Sequence, residues 1–175
     1  MTVITLIGLR GSGKSSVAAP LAARRNATWI DADDAIERRA GKSISAIFAD
    51  EGEPHFRQLE RSVMQDLLSR ESLIIAAGGG AILNAETRAE MRTAGPVVWL
   101  NASVGALEQR INLDATTGSR RPALTTRASQ REEIQHLFEQ REPLYREAAT
   151  IVIQTDDKSV TEIVDEIISA LNSSS

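Results

Sequence analysis

A single lysine sits among glycines near the start of the chain, in Gly8-Leu9-Arg10-Gly11-Ser12-Gly13-Lys14-Ser15-Ser16. Gly8-x-x-x-x-Gly13-Lys14-Ser15 is the full pattern of a phosphate-binding loop, and chemistry accounts for each position. Glycines let successive backbone N–H groups curl around phosphate oxygens with no Cβ in the way. Lys14 places a point charge on the β- and γ-phosphates, and the Ser15 hydroxyl can ligate Mg²⁺. A helix beginning here adds its N-terminal partial charge. Gly11, Ser12, Gly13, Lys14, Ser15 and Ser16 are therefore the expected nucleotide contacts. Arg10, at a free position of the loop, is either solvated or a further phosphate contact. The bound anion is a nucleoside triphosphate with Mg²⁺.

The acceptor must be sought elsewhere. "WIDADD" carries Asp31 and Asp33, which point the same way if a strand extends that far. One carboxylate could help hold Mg²⁺, and the other could accept the proton of an attacking hydroxyl. Asp34 reads as a helix cap. Arg57 and Glu60, three apart, share a helix face as a surface ion pair or as part of a site. Gly78, Gly79 and Gly80 are costly in backbone entropy and suit close backbone approach to a ligand. Arg141 precedes Pro143, which is expected to end its helix. Arg120 and Arg121 lie in a long polar stretch, where a guanidinium can close over a triphosphate. A hydroxyl partner for Asp33, and an anion for arginines beyond the loop, together describe a small polyhydroxy carboxylic acid.

These groups need a frame. Apolar runs at Val3–Ile7, Thr28–Asp31, Leu73–Ala77, Val97–Leu100 and Thr150–Ile153 alternate with helical patterns. The helical patterns cover about Lys14–Arg25, Asp34–Ala40, Glu53–Ser69, Ala85–Arg92, Val104–Asn112, Gln130–Gln140 and Val160–Leu171. Near-continuous apolar strands alternating with helices predict a parallel α/β sheet covered on both faces. Trp29 and Trp99, on strands, are expected in the core. Pro20 falls inside the first helix and should remove one of its hydrogen bonds.

The 175 residues suit one domain, 1–175, and the last four, 172–175, are expected to fray. A net charge of −4 and 3% aromatic residues give no field or stacking surface for nucleic acid. No apolar run approaches the ~18 residues of a membrane span. With no cysteine, neither disulfides nor thiolate metal sites are possible. The N-terminus does not read as a signal peptide, so the expected location is cytoplasmic.

"GLRGSGKSS", "DADDAIERRAGKSISAIFADEGEPHFRQLE", "AAGGGAIL", "RRPAL" and "REPLY", in this order and spacing, resemble the shikimate kinase family along almost the whole chain. The resemblance implies a P-loop kinase fold, a five-stranded parallel sheet in order 2-3-1-4-5. A substrate-binding segment at 33–60 and a lid at 112–126 are inserted into it. It implies transfer of the γ-phosphoryl of ATP to the 3-hydroxyl of shikimate; separately, a monomer is expected. The matching positions make Ser15 the Mg²⁺ ligand, with Asp31 assisting through water. Asp33, Arg57, Gly79, Gly80 and Arg141 become the shikimate contacts. Arg121 becomes the lid arginine, chosen over Arg120 because Pro122 adjoins it, and Arg110 packs along the adenine. Ser16 stands where threonine is frequent in the family, and the lid is longer than the common pattern.

Rival functions fit less well. A nucleoside monophosphate acceptor would need base-reading groups that the chain does not show, and gluconate kinases lack the "FR … GGG … R-x-PLY" set. A non-catalytic metabolite sensor should have lost Lys14, Asp33 or the lid arginine. A switch GTPase would carry "NKxD".

Overall fold

A computed structural model describes residues 2–113 and 130–174. The strands are β1 (Ile4–Ile7), β2 (Thr28–Asp31), β3 (Leu73–Ala76), β4 (Val97–Asn101) and β5 (Ile151–Gln154). The helices are α1 (Lys14–Arg25), α2 (Ala32–Ala40), α3 (Ile44–Leu68), α4 (Ala85–Ala94), α5 (Val104–Leu113), α6 (Gln130–Ala148) and α7 (Val160–Ser173). A 3-10 turn, Ala81–Leu83, lies between β3 and α4. The sheet runs β2-β3-β1-β4-β5, every pairing parallel, which is the expected order.

The strands' period of two feeds two separate cores. Ile4, Leu6, Ile74, Ala76, Val98 and Leu100 face α1 and α7, meeting Val17, Leu21, Ile163 and Ile167. Val3, Ile7, Leu73, Ile75, Val97 and Trp99 face the opposite side, with Ile36, Phe56, Met64, Leu107 and Tyr145. Each fully buried aliphatic or aromatic side chain contributes about 1.5–3 kcal/mol. That both-faces burial holds for β1, β3 and β4 but not for the edges. Val152 on β5 is exposed, and so is Trp29 on β2, which is not the core residue expected of it. An edge strand has a neighbour on one side only, and Trp29 leans over the cleft described below.

Several boundaries differ from the sequence expectations. β2 ends at Asp31 as expected, but α2 begins at Ala32 rather than Asp34, so Asp33 lies in the first turn of α2 and not on an extended strand. The cap of α2 is Asp31 and not Asp34. α3 begins at Ile44, earlier than expected, and breaks at Gly52 (φ 84°, ψ 171°) before resuming with Pro54 in its next first turn. Finally, α6 does not end at Pro143 but continues to Ala148. Pro143 is on the exposed side, while Arg141 and Tyr145 flank it and are buried, so packing on both sides outweighs one lost hydrogen bond. α1 likewise runs through Pro20. α7 reaches Ser173, two residues into the segment expected to fray. No helix among the described residues is long and apolar enough to cross a membrane.

Candidate active site

β1 delivers the chain into the phosphate loop at the carboxyl edge of the sheet, where ligands of parallel sheets collect. Gly11 (φ 85°) and Gly13 (φ 94°) hold left-handed conformations that favour glycine. A Cβ on Gly11 would also press on Ile111 Cγ1 of α5, at 3.0 Å. Gly13 caps α1 with no side-chain acceptor, which leaves the first N–H groups of that helix for an anion. Lys14 curls back so that its Nζ donates to the carbonyls of Gly8 (2.7 Å) and Leu9 (2.9 Å) and to Ser12 Oγ (3.4 Å). The ammonium therefore sits at the centre of the loop. The Ser12 side chain is buried behind the loop, so of the expected nucleotide contacts it can offer only backbone.

Asp31 serves two elements at once. Its Oδ1 accepts the N–H groups of Asp33 (2.8 Å) and Asp34 (3.3 Å), capping α2. Its Oδ2 accepts the Ser15 hydroxyl at 2.6 Å. Helix cap and candidate metal group are thus the same carboxylate.

A cleft of about 580 Å³ joins these parts. Leu9, Arg10, Gly11, Gly13, Lys14, Ser15 and Ser16 line it from the phosphate loop, Asp31 and Asp33 from β2–α2, and Gly78 and Gly79 from the end of β3. Arg110 and Arg141 complete the polar wall, with Ile111, Ile134 and Leu137 as apolar neighbours. Arg110 Nη1 points at the carbonyls of Gly11 and Ser12 and at Thr155 Oγ1, each at 3.4 Å, so it ties the loop to the end of β5. Asp156, next along, accepts the Ser103 N–H at 2.9 Å. That backbone bond, the Ser103 hydroxyl and nearby Arg110 hold the Asp156 carboxyl below its usual pKa.

Among the described candidates Ser12 and Gly80 do not line this cleft, and neither does Arg57. It lies on a neighbouring hollow of about 290 Å³ with Glu53, Glu60 and Gly80. Its Nη1 donates to the buried Glu60 at 2.7 Å, and its guanidinium stands 5.3 Å from the Phe56 ring centre. The pair is therefore partly buried rather than a surface salt bridge. The glycine turn separates Arg57 from Arg141 by very little. A Cβ on Gly79 would meet Arg141 Nη1 at 3.4 Å, and one on Gly80 would meet Arg57 Nη2 at 2.7 Å. Successive glycines thus carry the two guanidinium groups. The expected lid, with Arg120 and Arg121, lies outside the described residues apart from its first two positions.

A family model described as shikimate kinase matches residues 10–172. The chain belongs to the shikimate kinase family. It is 42% identical over 169 residues to the shikimate kinase of Rhodopirellula baltica, covering 97% of this chain and 90% of that relative. The shikimate kinase of Nitrosomonas europaea is 41% identical over 171 residues, covering 98% and 79%. Among solved structures, shikimate kinase from Acinetobacter baumannii in complex with shikimate superposes with a TM-score of 0.92 at 34% identity, covering 99% of this chain and 94% of that one. A gluconokinase from Sinorhizobium meliloti, at 17% identity and a TM-score of 0.59 over 98% and 91% of the two chains, shares the fold alone.

Sequence reasoning named most of the polar residues that line this cleft and passed over three further features. Trp29 gave no signal, because an edge strand is not visible in a four-residue run. The apolar wall of Ile134 and Leu137 looked like ordinary helix core. Tyr145 was quoted within "REPLY" but given no part, although its spacing of four from Arg141 puts the two on one helix face.

Proposed function

We propose that the chain transfers the γ-phosphoryl of ATP to the 3-hydroxyl of shikimate, using the residues of the cleft in the following roles. The observation that carries the assignment is that Asp33, Arg141 and the glycine turn share one cleft with Lys14 and Ser15. Gly11, Gly13 and the start of α1 offer N–H groups to the phosphates, with Lys14 balancing charge on the β- and γ-oxygens. Asp33 orients the acceptor hydroxyl and takes its proton as the O–P bond forms. Arg141 and Arg57, on either side of Gly79 and Gly80, bind the acid's carboxylate, and the bare turn lets the ring approach the backbone. Arg110 fixes the loop's carbonyl side and walls the nucleotide end. Arg121 is assigned from sequence alone as the group that steadies charge on the transferring phosphoryl.

Mg²⁺ fits the residues present. Ser15 and Asp31 offer hard oxygen ligands side by side, and the described residues contain no cluster of three or more His, Cys, Asp or Glu. That is the donor set of an ion held by one or two protein oxygens together with phosphates and water. When bound, the ion supplies charge neutralisation between the β- and γ-phosphates.

The test is ADP release with shikimate and a panel of small hydroxy acids, for the parent chain and Asp33→Asn. The parent should turn over shikimate best. Asp33→Asn should lower kcat by about 10²–10⁴-fold while nucleotide affinity holds. An unchanged kcat would reject the role of Asp33, and preference for another acid would reject the acceptor.

A further inference from the structure

The Tyr145 hydroxyl donates to the carbonyl of Gly79 across 2.6 Å. The phenol is otherwise sealed: its ring is 1% exposed and lies 5.7 Å from Trp99, with 19° between the planes. Trp99 belongs to β4, an interior strand paired on both sides, so Tyr145 is seated on the sheet. One helical turn earlier, the buried Arg141 places Nη1 3.4 Å from where a Cβ of Gly79 would stand. A single face of α6 therefore holds the glycine turn twice, by a hydroxyl on its carbonyl and by a guanidinium beside its Cα.

Packing needs only the ring of Tyr145. Phenylalanine would bury the same area on Trp99, so the hydroxyl calls for a separate account. Its partner is a backbone carbonyl in the stretch where three glycines leave no side chain to fix the chain. Because the peptide unit is planar and trans, holding the Gly79 carbonyl also sets the direction of the Gly80 N–H, opposite to it. Glycines have the widest backbone freedom of any residue, and one bond at 2.6 Å removes much of it here.

We propose that Tyr145 is a positioning residue for the acid substrate, acting through Gly79 to fix the turn against which Arg57 and Arg141 present their charges. This rests on the assignment of the turn and Arg141 to the acid pocket. Its hydroxyl is bonded to the glycine turn, so the larger effect falls on the acid, although a Cβ on Gly79 would also lie 3.6 Å from Arg10 N of the phosphate loop.

The experiment compares Tyr145→Phe and Arg141→Lys with the parent chain, measuring KM for shikimate, KM for ATP, kcat and the melting temperature. Tyr145→Phe should raise the shikimate KM about 3- to 10-fold, the range of one lost hydrogen bond, with the ATP KM within about twofold. The melting temperature should fall only slightly, because the ring stays stacked. Equal rises in both KM values, a lower melting temperature with unchanged KM values, loss of cooperative unfolding, or no change at all would each overturn the proposal. Arg141→Lys separates the premise from the inference. If it leaves the shikimate KM unchanged, the pocket assignment itself fails. If it raises that KM while Tyr145→Phe does not, only the role of Tyr145 fails.

Discussion

Ser15 and Asp31 are joined by a 2.6 Å hydrogen bond between the first turn of α1 and the last residue of β2. The same carboxylate caps α2 through its other oxygen. The position of Asp33 and the candidate metal group therefore depend on one side chain.

The two duties of Asp31 can be separated. Asn caps helices about as well as Asp, whereas Ala does not. Asp31→Ala should cost about 0.5–2 kcal/mol of stability and raise the Mg²⁺ concentration for half-maximal rate. Asp31→Asn should keep most of the stability and show only the Mg²⁺ effect. Denaturant titration and a Mg²⁺ titration of rate check this. An unaltered Mg²⁺ dependence in both variants would leave Asp31 as a cap alone.

Gly80 offers a purely steric probe of Arg57. Its backbone (φ −100°, ψ 4°) suits any residue, so Gly80→Ala adds no backbone strain. The new methyl would stand 2.7 Å from Arg57 Nη2 and 2.8 Å from Cζ. The nearest guanidinium atom, Nη1, is bonded to the buried Glu60, so moving it aside weakens a partly buried pair and stability should fall by about 1–3 kcal/mol. The displaced guanidinium should also raise the shikimate KM severalfold, with the ATP KM steady. Steady-state kinetics in both substrates decide it, and an unchanged shikimate KM would remove Arg57 from the clamp.

How much of this was visible beforehand varies by element. The strands and the phosphate loop follow from apolar runs and from one dense motif whose spacing is itself the geometry, whereas the strand order is what the family resemblance implies. The ends of helices were less visible. Pro143 breaks a helix locally, but the burial of Arg141 and Tyr145 on either side keeps α6 whole, and that burial is tertiary. Asp33 lies on a helix because Asp31 caps α2, which starts two residues before the expected Asp34. Whether Glu60 was solvated or buried could not be read from its spacing to Arg57, since both outcomes share a helix face.

Asp156 gives the structure a dependence on acid. Its folded pKa is depressed, chiefly by the Ser103 N–H, so its stabilising effect is complete above the unfolded value of about 3.9. The effect is lost as pH falls through the folded value. Asp156→Asn should lower the melting temperature at pH 7 and flatten its decline as pH falls below about 4. Melting curves across that range test the sign. A variant whose acid limb is as steep as the parent's would assign the loss to other carboxylates.

The chain has two tryptophans, and the fold has placed them in opposite surroundings. Trp99 is shut inside beneath Tyr145, while Trp29 stands 38% exposed on the cleft wall near Ser16 and Asp34. Their fluorescence is accordingly divided between a shielded emitter and one open to quenchers. Because Trp29 lines the cleft, its emission should change when a ligand enters, so the protein should report ligand arrival without any attached dye.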